Sequence, residues 1–122
     1  MSMAVRAVRG ATQVGANTRA EILAGSSELI TEVLLRNALS QEALISVVFT
    51  ATPDLTAEFP AYAARLLGYT DVPLLCSTEI DVPGAMPRVL RLLAHVETDK
   101  GRSEILHVYL HGAASLRRDL PS

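Results

Sequence analysis

The sequence predicts an α+β domain, a mixed five-stranded sheet packed by one long helix. Three observations predict it. Five short runs of aliphatic and β-branched residues have the length of strands. A single run, residues 18–37, keeps helical spacing over several turns. The strands do not alternate regularly with helices, as a doubly wound sheet would require. At 122 residues the chain is long enough for one domain with a real core, residues 1–122, and too short for two.

Taken in order, residues 3–9 form the first strand candidate, stopped by Gly10, with Val5, Ala7 and Arg9 on one face. Arg9 closes that apolar face, either as an edge residue reaching solvent or aimed into a pocket. Thr18 and Glu21 match a capping box, and Ile22, Leu29, Ile30, Val33 and Leu34 form the buried stripe of the helix that follows. Gly25 is its weak point, since glycine costs about 1 kcal/mol in a helix interior. Residues 44–52 read as a buried strand ending at the Pro53-Asp54 turn. Pro60 opens a short helix that carries Tyr62 and Arg65 and ends at Gly68. Residues 72–76 are the third strand. Residues 89–98 are the fourth, with Leu90, Leu92, Ala94 and Val96 on one face and Arg91, Leu93 and His95 on the other. The Asp99–Arg102 turn predicts a hairpin into a fifth strand, 105–111. There Leu106, Val108 and Leu110 face the core, while His107, Tyr109 and His111 face away. Residues 117–122 have no periodicity and read as a mobile tail.

Apolar residues make up 49% of the chain and aromatics only 4%, so the core is aliphatic and some apolar surface is expected to meet other chains. A net charge of -2 gives no basic field for nucleic acid. No apolar run approaches the roughly 18 residues of a membrane span, and no signal-peptide layout opens the chain. The single cysteine excludes an internal disulfide framework, and His95, His107 and His111 lack metal-ligand spacing. A cytoplasmic protein without a metal or cofactor is the expectation.

The stretch from Leu75 to Arg91 draws attention because a thiol, a carboxylate and a guanidinium stand at strand margins. Cys76 has no local signature of a nucleophile, and a lone cysteine is usually a small buried hydrophobe. Glu79 and Asp81 do not read as an acid/base pair, and no glycine-rich loop precedes the helix to cradle phosphate. Arg9, Arg65, Arg91, Arg117 and Arg118 remain, on strand ends and loops. They are either separate surface charges or the grip on a small di-anion, which guanidinium groups hold in bidentate fashion.

Six segments, in order and nearly end to end, tip that balance. They are Val8-Arg9-Gly10-Ala11-Thr12, the run from Ala51 to Ala61 (ATPDLTAEFPA), Cys76-Ser77-Thr78-Glu79-Ile80-Asp81-Val82, Arg91, His107-Val108-Tyr109-Leu110, and Leu116-Arg117-Arg118-Asp119-Leu120. Together they resemble the small monofunctional chorismate mutases of the trimeric α/β type. The resemblance implies a homotrimeric pseudo-α/β barrel with active sites between subunits. It also implies an enzyme of phenylalanine and tyrosine biosynthesis that rearranges chorismate to prephenate without a cofactor. Arg91 matches the arginine that donates to the ether oxygen and a carboxylate, and Arg9 one that grips a carboxylate. Glu79 and Cys76 match the groups bonding the ring hydroxyl, and Tyr109 a phenol that meets a carboxylate. Phe59, Arg65, Leu116 and Arg117 match the pocket wall, the entrance and the closing tail. Two positions depart from the family: Leu75 stands where threonine is frequent, leaving only a backbone contact, and Tyr62 where a lysine can occur. A non-catalytic trimeric module that binds small carboxylates with the same arginines is the alternative.

Overall fold

Strand β1 (Ala4–Gln13) opens the fold in a computed structural model that describes residues 2–117, Arg117 by its backbone alone. Helix α1 (Arg19–Arg36), strand β2 (Leu44–Ala51), helix α2 (Ala61–Leu66), strands β3 (Leu74–Thr78), β4 (Val89–Thr98) and β5 (Val108–Leu110), and a 3₁₀ segment (His111–Arg117) follow. The sheet order is β3-β2-β4-β1-β5. β4 runs antiparallel to both β1 and β2, while β3 is parallel to β2 and β5 parallel to β1. It is the mixed five-stranded sheet with one long helix that the sequence predicts.

α1 starts where expected. Thr18 is extended and its hydroxyl accepts the Glu21 N–H at 3.1 Å. The carboxylate of Glu21 turns instead to the Gly15 N–H, at 2.9 Å, so the box is only half closed. Leu29, Ile30, Val33 and Leu34 are buried on the sheet against Val8, Val47, Phe49, Leu92, Ala94 and Val96, and Ile22 packs in a second cluster with Val14, Ala51, Leu55 and Leu90. The helix lies close: a Cβ at Gly25 would come within 2.5 Å of Val14, and one at Gly10 within 3.0 Å of Leu29. Gly10 therefore does not stop β1, which runs on to Gln13; it is where the helix needs the strand to have no side chain.

Three other expectations are corrected. β3 begins at Leu74 rather than at residue 72, because its pairing with β2 opens with the Val47 N–H donated to the Pro73 carbonyl at 3.0 Å. Val72 is a buried loop residue. β4 and β5 form no hairpin, because β1 and β2 already occupy both edges of β4. β5 joins the far edge of β1 with the register Gly10 to Val108, Ala11 to Tyr109 and Thr12 to Leu110. It is also shorter than predicted. The backbone of Leu106 is held by the buried side chain of Asn37, which donates to the Leu106 carbonyl at 2.9 Å and accepts its N–H at 2.8 Å. Leu106 consequently stays 46% exposed, and Ile105 takes the place in the core.

Among the described residues, the opposite face of the sheet carries no α-helix. Val5, Leu93 and Leu75 are 58%, 37% and 68% exposed there, in line with Ala7, Arg9 and Arg91. The face that Arg9 closes is thus the uncovered one.

Candidate functional site

Strand pairing builds the site. Arg91 alternates with the buried Leu90 and Leu92, so it points to the uncovered face. In register it stands between Thr50 of β2 and Ala11 of β1, and Ala11 pairs with Tyr109 of β5. Arg9 pairs with Leu93, one row away. That makes Arg9 a diagonal neighbour of Arg91, a separation of about 7–8 Å.

Glu79 follows β3 directly, and its N–H donates to the Ala51 carbonyl at 2.9 Å. Its carboxylate meets the Nε of Arg91 with both oxygens, Oε2 at 3.0 Å and Oε1 at 3.2 Å. The hydroxyl of Thr50 donates to Oε2 at 2.6 Å. Among the described residues only Nε of the guanidinium is hydrogen-bonded, to Glu79, and the two terminal nitrogens can grip a ligand. Glu79, Arg91 and Leu116 line one cavity of about 300 Å³, together with Asp54 and Asp81. Three carboxylates against one guanidinium cannot by themselves hold a di-anion.

Cys76 lies elsewhere. It pairs with the buried Phe49, on the helix side of the sheet, and its Sγ accepts the Ala61 N–H at 3.3 Å. Cys76 is exposed as a residue, but partial desolvation of its thiol raises the pKa above the ordinary range, and the hydrogen bond from Ala61 only partly opposes this. A neutral thiol is a weak nucleophile and a usable donor. With Phe59 and Pro60 it lines a second cleft, of about 490 Å³. Within one chain, then, Cys76 does not share a cavity with Glu79 and Arg91.

Arg9 lines a third cavity, of about 420 Å³, with Arg6, Arg102, His95 and His107, and its N–H donates to Nδ1 of His107 at 3.0 Å. Arg65 is exposed in the last turn of α2, and Leu75 is exposed on the uncovered face. Tyr109 is half-buried, and so is Leu116. The side chain of Arg117 and residues 118–122 of the expected tail lie outside the described residues. The chain therefore carries two groups: Arg9, Glu79, Arg91, Tyr109 and Leu116 along the uncovered face, and Phe59, Arg65 and Cys76 around α2 and the β3 edge. A larger cavity, of about 670 Å³, lies between α1 and the C-terminal 3₁₀ segment; most of its charged groups are engaged locally, while the buried Thr12 hydroxyl has no hydrogen-bond partner among the described residues. There Glu28 meets His111 at 2.8 Å, Glu21 caps Gly15, and Arg88 donates to the Val14 carbonyl at 2.9 Å.

Sequence reasoning missed two residues. Thr50 reads as a strand filler, and its signal is a polar residue at an outward position of a buried strand. Arg88 holds the loop after Glu79: its N–H donates to Asp54 at 2.9 Å from a backbone with φ of 55°, rare for a residue with a side chain.

The family described as chorismate mutase type I matches residues 5–120. The chorismate mutase AroH of Thermus thermophilus is 46% identical over 119 residues, 97% of this chain and 98% of that protein. The chorismate mutase AroH of Bacillus subtilis (strain 168) is 40% identical over 119 residues, 97% of this chain and 94% of its own. A solved chorismate mutase from Clostridium thermocellum superposes with a TM-score of 0.89 at 47% identity, covering 90% of this chain and 98% of that one.

Proposed function

The chain belongs to the type I chorismate mutases and is a chorismate mutase, and we propose that it works as a homotrimer whose active sites form between neighbouring subunits. The observation that carries the proposal is that Glu79, Arg91 and Leu116 line one cavity of the chain while Phe59 and Cys76 line another. An uncovered apolar sheet face, with Val5, Leu75 and Leu93 exposed, gives the subunits a surface to bury. The Glu79–Arg91 cavity is short of cations for a di-anionic substrate, and Arg9 beside it and Arg65 of a neighbouring subunit would supply them.

In this reading chorismate becomes prephenate by a unimolecular rearrangement in which a C–O bond breaks as a C–C bond forms. Negative charge gathers on the ether oxygen and positive charge on the ring. The terminal nitrogens of Arg91 face that oxygen and stabilise the transition state more than the ground state. Glu79, locked on the Nε of the same arginine, faces the cationic ring. Arg9 and Tyr109 grip carboxylates, the neutral thiol of Cys76 donates to the ring hydroxyl, and Phe59 walls the pocket. Leu116 and Arg117 close it. Holding the compact conformer with its reacting carbons together lowers the barrier further. No proton moves and no cofactor takes part. The enzyme is read as cytoplasmic; among the described residues no helix is long and apolar enough to cross a membrane.

Purified protein should deplete the ultraviolet absorbance of chorismate without any added cofactor and with a solvent isotope effect near unity. A large solvent isotope effect on kcat would replace this mechanism with one that transfers a proton.

A further inference from the structure

We propose that Thr50 is a positioning residue for the rearrangement: its hydroxyl fixes which oxygen of Glu79 faces the substrate. The inference rests on the reading of Glu79 as the anion beside the ring, and it adds a residue that the six family-like segments do not contain.

Glu79 is held to β2 at two consecutive residues. The Ala51 carbonyl takes its N–H at 2.9 Å, and the Thr50 hydroxyl donates to its Oε2 at 2.6 Å. Arg91, directly opposite Thr50 in the strand register, places Nε 3.0 Å from that same oxygen. Oε2 thus receives two donors. Among the described residues Oε1 has one contact, the longer 3.2 Å approach of Nε, and keeps the larger share of its accepting capacity for a ligand. A forked Nε contact alone leaves a carboxylate free to rock, since both oxygens are equivalent to the guanidinium. The hydroxyl removes that equivalence. A charge-assisted bond of this length is among the stronger ones a neutral side chain can give. Thr50 is half-buried and β-branched, which restricts its own χ1, so the donor is itself held in place.

Thr50 acts through Glu79 and need not touch substrate, so its effect belongs in kcat. Thr50→Val keeps the shape and deletes the donor, and Thr50→Ala deletes the donor without a buried methyl to misplace. Each should lower kcat about tenfold, the scale of one lost hydrogen bond to a charged group, with KM within about twofold. Thr50→Ser restores the hydroxyl and should keep kcat within about threefold of the parent. In a Glu79→Gln background, itself strongly impaired, Thr50→Val should cost less than twofold more, because the group it positions has gone. Parental kcat in both Thr50→Val and Thr50→Ala, with Glu79→Gln still impaired, would overturn the role of Thr50 and leave the active site standing. So would an undiminished tenfold loss in the Glu79→Gln background. A fully active Glu79→Gln enzyme would instead overturn the assignment of Glu79, and with it the site on which this inference rests.

Discussion

Replacing Arg91 with alanine separates its contribution to catalysis from its contribution to the fold. The Arg91–Glu79 pair is partly open to solvent, with side chains 42% and 19% exposed. Pairs of that kind add about 0–1 kcal/mol to stability. In the proposed mechanism, a cation at the ether oxygen is worth far more in the transition state. Removing one donor of that kind costs about 2.7–4 kcal/mol, or 10²–10³ in kcat. Arg91→Ala should therefore lose at least about a hundredfold in kcat while the melting temperature moves by only a few degrees. Arg91→Lys keeps the charge but offers one nitrogen where the wild type uses Nε on Glu79 and, in the proposed mechanism, its terminal nitrogens on substrate. It can serve one partner at a time and should also be poor. Chorismate absorbance decay and a thermal melt on the same preparations read both quantities. Near-normal turnover in either variant would place the essential cation elsewhere. A collapse of the melting temperature in parallel with the rate would mean that Arg91 is structural.

Other outcomes follow from the same geometry. Cys76→Ser should retain activity with a loss of about 1 kcal/mol, the scale of one weakened hydrogen bond; a dead serine variant would revive a nucleophilic role. Because burial raises the thiol's pKa in the folded chain, its contribution to stability is present at pH below the ordinary thiol range and is lost as pH rises through the raised value. Melts taken from neutral to alkaline pH should show that decline in the parent and not in Cys76→Ser. Asn37→Ala removes two hydrogen bonds to Leu106 and one to the Val33 carbonyl. It should cost about 2–4 kcal/mol in urea unfolding, and an unchanged midpoint would mean that residues 105–107 are held by something else. Truncation from Arg117 onward should raise KM far more than it lowers kcat, since a closing tail mainly retains substrate; a loss confined to kcat would contradict that.

The outward face of β4 was legible in the sequence, because Arg91 alternates with leucines that had to be buried. The start of α1 was legible for a similar reason, Thr18 and Glu21 being local to it. The contact between Glu79 and Arg91 was not. It depends on β3 pairing parallel to β2 while β4 pairs antiparallel, and nothing in a spacing of a dozen residues encodes that. Thr50 was invisible for the same reason, since it matters only once the register sets it opposite Arg91. β5 misled because residues 105–111 alternate cleanly whether a strand or a side chain takes their hydrogen bonds. Asn37, which takes those of Leu106, reads in sequence only as the end of a helix. Cys76 and Glu79 stand close along the chain, yet strand alternation turns the thiol toward α2 while the backbone beyond Thr78 carries the carboxylate to the uncovered face. Proximity in sequence thus suggested a single pocket, whereas within one chain the fold keeps the two residues in separate cavities.

Subunit complementation tests the central claim, that each active site takes one group of residues from one chain and the second group from its neighbour. Arg91→Ala disables the first group, and Cys76→Asp, which sets a carboxylate against a di-anion, disables the second. Each variant alone should be nearly inactive. Unfolded together in equal amounts and refolded, a cyclic trimer mixing at random places an intact first group beside an intact second group in about a quarter of its sites. Recovery of about a quarter of the wild-type rate is the predicted result. No recovery from well-mixed trimers would mean that each site lies within a single chain, and would contradict the account.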